Sequence, residues 1–136
     1  MPLTSNSIKT LARTLVLLAL LAPTHARGQT EEDPCAPEAQ RSSQLMACAR
    51  REFGEATAEL TRARAELYAD LEPRSRVKLR ATERAWLRYR QTNCDAEASI
   101  YENGTIQPLI ELRCMTRVTR ERAAELKAQA RTLKGE

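Results

Sequence analysis

Met46, Ala49, Phe53, Ala56, Leu60, Ala63 and Leu67 recur at alternating steps of three and four residues. That spacing places them on one face of a long α-helix, with Glu52, Glu55, Glu59, Arg62 and Glu66 mostly on the other. A start is expected near Ser42 or Ser43, where a hydroxyl can cap the first turn. Pro73 stops the helix, because proline disfavours helical geometry at Glu72, and the same ring suits the first turn of a second helix. That second helix is predicted from about Pro73 to Ala98, with Leu79, Thr82, Trp86, Tyr89 and Asn93 in the same rhythm and Ala85 beside them. Tyr101-Glu102-Asn103-Gly104-Thr105 breaks the pattern, and Asn-Gly is a strong turn signal. A third helix follows from near Pro108, carrying Leu109, Leu112, Met115, Val118, Arg122, Leu126 and Leu133 before Gly135. Aromatic residues make up only 4% of the chain and β-branched residues are few, which argues against a sheet. The expected fold is all-α: a small antiparallel three-helix domain with short connections.

The N-terminus reads differently. Lys9 and Arg13 precede an apolar run, Leu15 to Ala22, that falls short of the ~20 residues a membrane-spanning helix needs. Thr24-His25-Ala26 then offers small residues where a signal peptidase cuts, so residues 1–26 are expected to be an export signal cleaved near Ala26. Residues 27–41, with Pro34 and Pro37, read as an irregular lead-in, and residues 42–134 as the helical domain. The formal charge of +4 falls to +2 once Lys9 and Arg13 are removed. The exported domain is therefore nearly neutral.

All four cysteines, Cys35, Cys48, Cys94 and Cys114, lie beyond the signal, while the only histidine, His25, lies inside it. An even cysteine set in an exported chain points to two disulfides. Three pairings are possible, and the helix positions favour Cys35–Cys48 and Cys94–Cys114, the second closing the Asn103-Gly104 loop. A closed loop of about 20 residues contributes on the order of 3 kcal/mol. Zinc would require Cys-x-x-Cys spacing or histidines, so neither a metal nor another cofactor is expected. With no imidazole and with oxidised cysteines, the usual nucleophile–base pairs are missing, and the chain reads as a binding protein and not an enzyme.

Trp86 lies in Ala85-Trp86-Leu87-Arg88-Tyr89-Arg90, followed by Cys94, then Asn103-Gly104-Thr105-Ile106-Gln107-Pro108, Cys114 and Val118-Thr119-x-x-Arg122. This order resembles the LprI-type lysozyme-inhibitor family over roughly residues 35–126, whose pattern reads AW-x-x-YR-x-x-x-C, GG-[ST]-I-x-P, C and LT-x-x-R. In the first half, Met46, Thr57 and Thr61 stand where that pattern has Asn, Asp and Asn, and Asn103 stands where it usually has glycine. The resemblance implies a helical, disulfide-linked domain, with lysozyme as its protein partner.

Two surfaces are candidates for contact. Tyr101, Glu102, Asn103, Thr105 and Gln107 lie on a loop held by a cross-linked scaffold, flanked by Asp95, Glu97 and Glu111. Arg74, Arg76, Lys78, Arg80, Arg84, Arg88 and Arg90 stand against one acid, Glu83. That run suits an anionic envelope polymer or another envelope protein, or else forms a solvated face paired with acids of the first helix. Nucleic acid is not expected as a partner, since no recognised binding motif is present. Trp86 and Tyr89 are expected in or at the edge of the core, and Arg90, Thr119 and Arg122 in structural hydrogen bonds and ion pairs.

Overall fold

The computed structural model describes residues 33–39 and 41–136 of the chain. The expected export signal with its cleavage near Ala26, and residues 27–32 and 40 of the lead-in, fall outside the described residues. Three long helices follow in order: α1 (Ser42–Asp70), α2 (Pro73–Ser99) and α3 (Gln107–Lys134). Among the described residues there is no strand. Each helix is roughly 40 Å long at 1.5 Å per residue.

Helix α1 packs on α3 through small side chains. Ala49, Ala56 and Ala63, seven residues apart, are buried on α1, and Thr116, Ala123 and Ala130, also seven apart, are buried on α3. A seven-residue repeat keeps one seam facing its partner along the full length of two helices. Around the lower part of the seam Leu67 and Leu126 complete a cluster with Ala63, Ala123 and Ala130, flanked by Leu60, Leu71 and Leu79. The rim is ionic: Lys127 Nζ donates to Glu59 at 2.5 Å and Lys134 Nζ to Glu66 at 2.9 Å. These pairs rise together in number, so α1 and α3 run in the same sense.

Helix α2 lies on α3 with far less apolar burial. Only Cys94 and Ala98 are buried on it, both near its C-terminal end. There the Cys94–Cys114 disulfide joins it to α3 inside a second cluster with Val118, Trp86 and Met115. Arg117 and Glu97 close the same interface at 2.7 Å. The second disulfide, Cys35–Cys48, ties the lead-in to the first turns of α1, helped by an Arg51–Asp33 pair at 2.7 Å.

The helix ends show how the sequence is used locally. No hydroxyl caps α1: its N-cap is Arg41, whose backbone N–H donates to the Gln44 side chain at 3.2 Å, with Ser42 and Ser43 already inside the helix. At the other end Arg76 Nε donates to the Leu71 carbonyl at 2.7 Å and its Nη2 to that of Ala69 at 3.5 Å. One guanidinium thus satisfies carbonyls that a helix C-terminus leaves without partners.

The α1–α3 seam leaves no room for larger side chains. Ala123→Leu is expected to lower the unfolding free energy by about 1–3 kcal/mol through overpacking, and Leu126→Ala by about 3 kcal/mol through a cavity. Urea denaturation measures both. The rim gives a pH signature. Hydrogen bonds from Lys127 and Lys134, then their charges, hold the Glu59 and Glu66 carboxyls below their ordinary 4.5. A depressed carboxylate contributes stability above its unfolded pKa, and that contribution is lost as pH falls through the folded value. The melting temperature should therefore hold between about pH 7 and pH 5 and drop below ~4.5. In the Glu59→Gln/Glu66→Gln variant it should start lower and fall less on acidification.

Candidate functional site

The α2–α3 connection is a short, tightly bonded turn. Backbone N–H groups of Tyr101, Glu102, Gly104 and Gln107 donate to the carbonyls of Ala98, Ser99, Tyr101 and Gly104 at 2.9–3.2 Å. Asn103 has φ +66°, in the left-handed region that glycine adopts freely and asparagine tolerates better than other residues. At Gly104 an added Cβ would sit 3.0 Å from the Tyr101 carbonyl oxygen, so only glycine fits there without a shift. Directly beneath, the buried Cys94–Cys114 bridge fixes the two helix ends that carry the turn.

This turn presents large hydrophobic side chains to solvent. Ile100 is 79% exposed, Tyr101 44% and Ile106 46%. Glu102, Asn103 and Thr105 are exposed beside them, while Gln107 is half-buried as the first residue of α3. Acids surround the turn. Glu97 is paired with Arg117, whereas among the described residues Asp95 and Glu111 are met by the Gln91 carboxamide, at 2.8 and 3.4 Å. Exposed Glu102 has no cation beside it among the described residues. Ile100 and Ile106 did not stand out in the sequence, because an isolated isoleucine flanking a turn carries no periodic signal.

A second group lies between the two apolar clusters. Arg90 Nη1 donates to Thr119 Oγ1 at 3.0 Å, and its guanidinium lies 5.1 Å from the Trp86 ring centre and 5.4 Å from that of Phe53. All three helices meet at this one cation. Burial pulls the Arg90 pKa below its ordinary value. Its Nε–H has no protein acceptor, and the same holds for Arg122, whose side chain is 10% exposed and pairs with Glu125 at 2.9 Å. Tyr89 does not join them. It is 56% exposed, because the inward stripe of α2 passes through Glu83, Trp86, Arg90 and Cys94 instead. Placing Tyr89 in or at the edge of the core is thus corrected. Apolar periodicity alone could not show that the inward position belongs to a charged neighbour, held by aromatic faces.

Two surface depressions complete the inventory. A groove of 550 Å³ lies among Leu67, Leu71, Leu79, Lys78 and Leu133, and a smaller one of 260 Å³ lies where the lead-in meets Glu52 and Arg113. Among the described residues no three His, Cys, Asp or Glu side chains converge to hold a metal ion, and no helix is long and apolar enough to cross a membrane.

The turn, the disulfides and the Arg90 contact all lie within the span matched by a known family. The family model described as lysozyme inhibitor LprI matches residues 35–126. An uncharacterized protein of Rhizobium meliloti (strain 1021) is 26% identical over 125 residues, covering 82% of this chain and 88% of its own. No solved structure matches. With the family model spanning both disulfides, the turn and the Trp86–Arg90–Thr119 contact, the chain belongs to the LprI lysozyme-inhibitor family.

Proposed function

We propose that this is an exported protein that binds lysozyme and blocks its access to the cell wall, with the turn at residues 100–106 as the contact. The observation that carries this reading is the pairing of rigidity with exposure. Ile100, Tyr101 and Ile106 face solvent on a turn closed by backbone hydrogen bonds and anchored by a buried disulfide. A preordered turn gives up little conformational freedom on binding, and aliphatic and aromatic anchors carry most of the energy in protein interfaces. Asp95, Glu102 and Glu111 add local negative charge to a nearly neutral domain, which suits the strongly basic lysozymes of hosts. Asn103 and Thr105 supply an amide and a hydroxyl to compete with sugar groups in the cleft.

This reading makes the protein an inhibitor and not a hydrolase, with export following from the segment read as a signal over residues 1–26. Occlusion by a bound domain requires one inhibitor per enzyme and no chemistry on the inhibitor's side. The oxidised domain titrated into lysozyme on a cell-wall substrate should stop hydrolysis at one equivalent, and should release no fragments without lysozyme. Ile100→Asp and Tyr101→Ala should each raise the inhibition constant about tenfold or more while leaving helicity unchanged. Full lysozyme activity at large excess, or turn variants that inhibit like the parent, would sink the proposal.

A further inference from the structure

Of the seven basic residues between Arg74 and Arg90, the fold uses two: Arg76 caps α1, and Arg90 joins the three helices. Arg74, Lys78, Arg80, Arg84 and Arg88 are all exposed, and among the described residues no carboxylate pairs with any of them. The one acid of the run, Glu83, is turned inward with its side chain 15% exposed, 3.7 Å from Arg64 of α1. The exposed charges of α2 from residue 73 to 94 are therefore all positive. Arg80, Arg84 and Arg88 follow one another every four residues, about 6 Å apart along the axis, and the five charges span roughly 21 Å. Like charges at that spacing repel, and Arg74 in the first turn opposes the helix dipole. The array weakens the helix that bears it, so stability does not account for it.

We propose that this face of α2 binds a linear anionic polymer of the cell envelope, one with a phosphate or carboxylate on each repeat. The evenly spaced row Arg80, Arg84 and Arg88 meets a repeating polyanion charge by charge, with Arg74 and Lys78 on a second row beside it. An anionic bilayer fits less well, because a helix lying in a membrane interface needs a continuous apolar face. The large hydrophobic residues exposed on this stretch, Val77, Leu87 and Tyr89, stand ten and two positions apart and so form no single helical stripe, whereas Leu79 and Trp86 point inward. The array lies toward the opposite end of α2 from the 100–106 turn, so the domain can hold the polymer with the turn still free. The proposal does not rest on lysozyme binding.

Binding of the oxidised domain to long-chain polyphosphate, followed by fluorescence anisotropy over a salt series, tests it. The parent should bind with a steep salt dependence, and far more tightly than it binds tripolyphosphate. Arg80→Gln/Arg84→Gln/Arg88→Gln should cut affinity at least tenfold and lower the slope of log K against log salt by about two. The control Arg50→Gln/Arg62→Gln/Arg120→Gln removes as much charge from exposed sites on α1 and α3 and should lose far less. Circular dichroism should show both variants equally helical. Equal losses in the two variants would reduce the effect to net charge and overturn the proposal. So would tighter binding to phosphatidylglycerol vesicles than to the polymer, or no difference between long-chain polyphosphate and tripolyphosphate.

Discussion

The small-residue seam between α1 and α3 is the constraint on which the other features depend. Ala49, Ala56 and Ala63 meet a helix whose facing positions include Thr116, Ala123 and Ala130, and both sets repeat every seven residues. Small side chains allow close approach and dense packing without large apolar area. Lysine–glutamate pairs at the same seven-residue interval line the rim. With α1 fixed in this way, α3 becomes the spine, and it alone is buried along most of its length.

Helix α2 is the dependent element. It buries little apolar surface beyond Leu79, Trp86, Cys94 and Ala98, and polar or covalent ties supplement that packing: the Cys94–Cys114 bridge, the Arg117–Glu97 pair, the Arg90 contact with Phe53 and Thr119, and the Arg76 cap on α1. A helix attached like this is free to spend its outer face on charge, and its C-terminal end can carry a turn stiffer than its own packing would support. The division of charge along α2 follows, with unpaired cations toward Arg74 and unpaired acids around the turn.

Much of this was legible in the sequence, because a few residues have nearly unique local consequences. Pro73 and Asn103-Gly104 marked the helix boundaries, and the helix positions of the cysteines pointed to the pairing found. The family resemblance over 35–126 coincides with the family match. What escaped were polar residues doing the work of apolar ones. Glu83 and Arg90 occupy the inward stripe of α2, which a search for hydrophobic periodicity assigned to Thr82 and Tyr89. Gln44, and not a serine hydroxyl, completes the start of α1. Leu133, read as part of the inward stripe of α3, is exposed, at the mouth of the groove it lines with Leu67, Leu71 and Leu79. The exposed isoleucines of the turn became meaningful only once the backbone around them was known.

The central claim is that the disulfide-anchored turn is where this domain meets lysozyme. Hydrogen–deuterium exchange of the oxidised domain, with and without one equivalent of lysozyme, tests it most directly, because each amide reports its own protection. The account predicts slowed exchange confined to the amides of residues 99–107, with the α1–α3 seam unchanged. Protection centred on α1 or on the cationic half of α2, or none anywhere despite a stable complex, would contradict it.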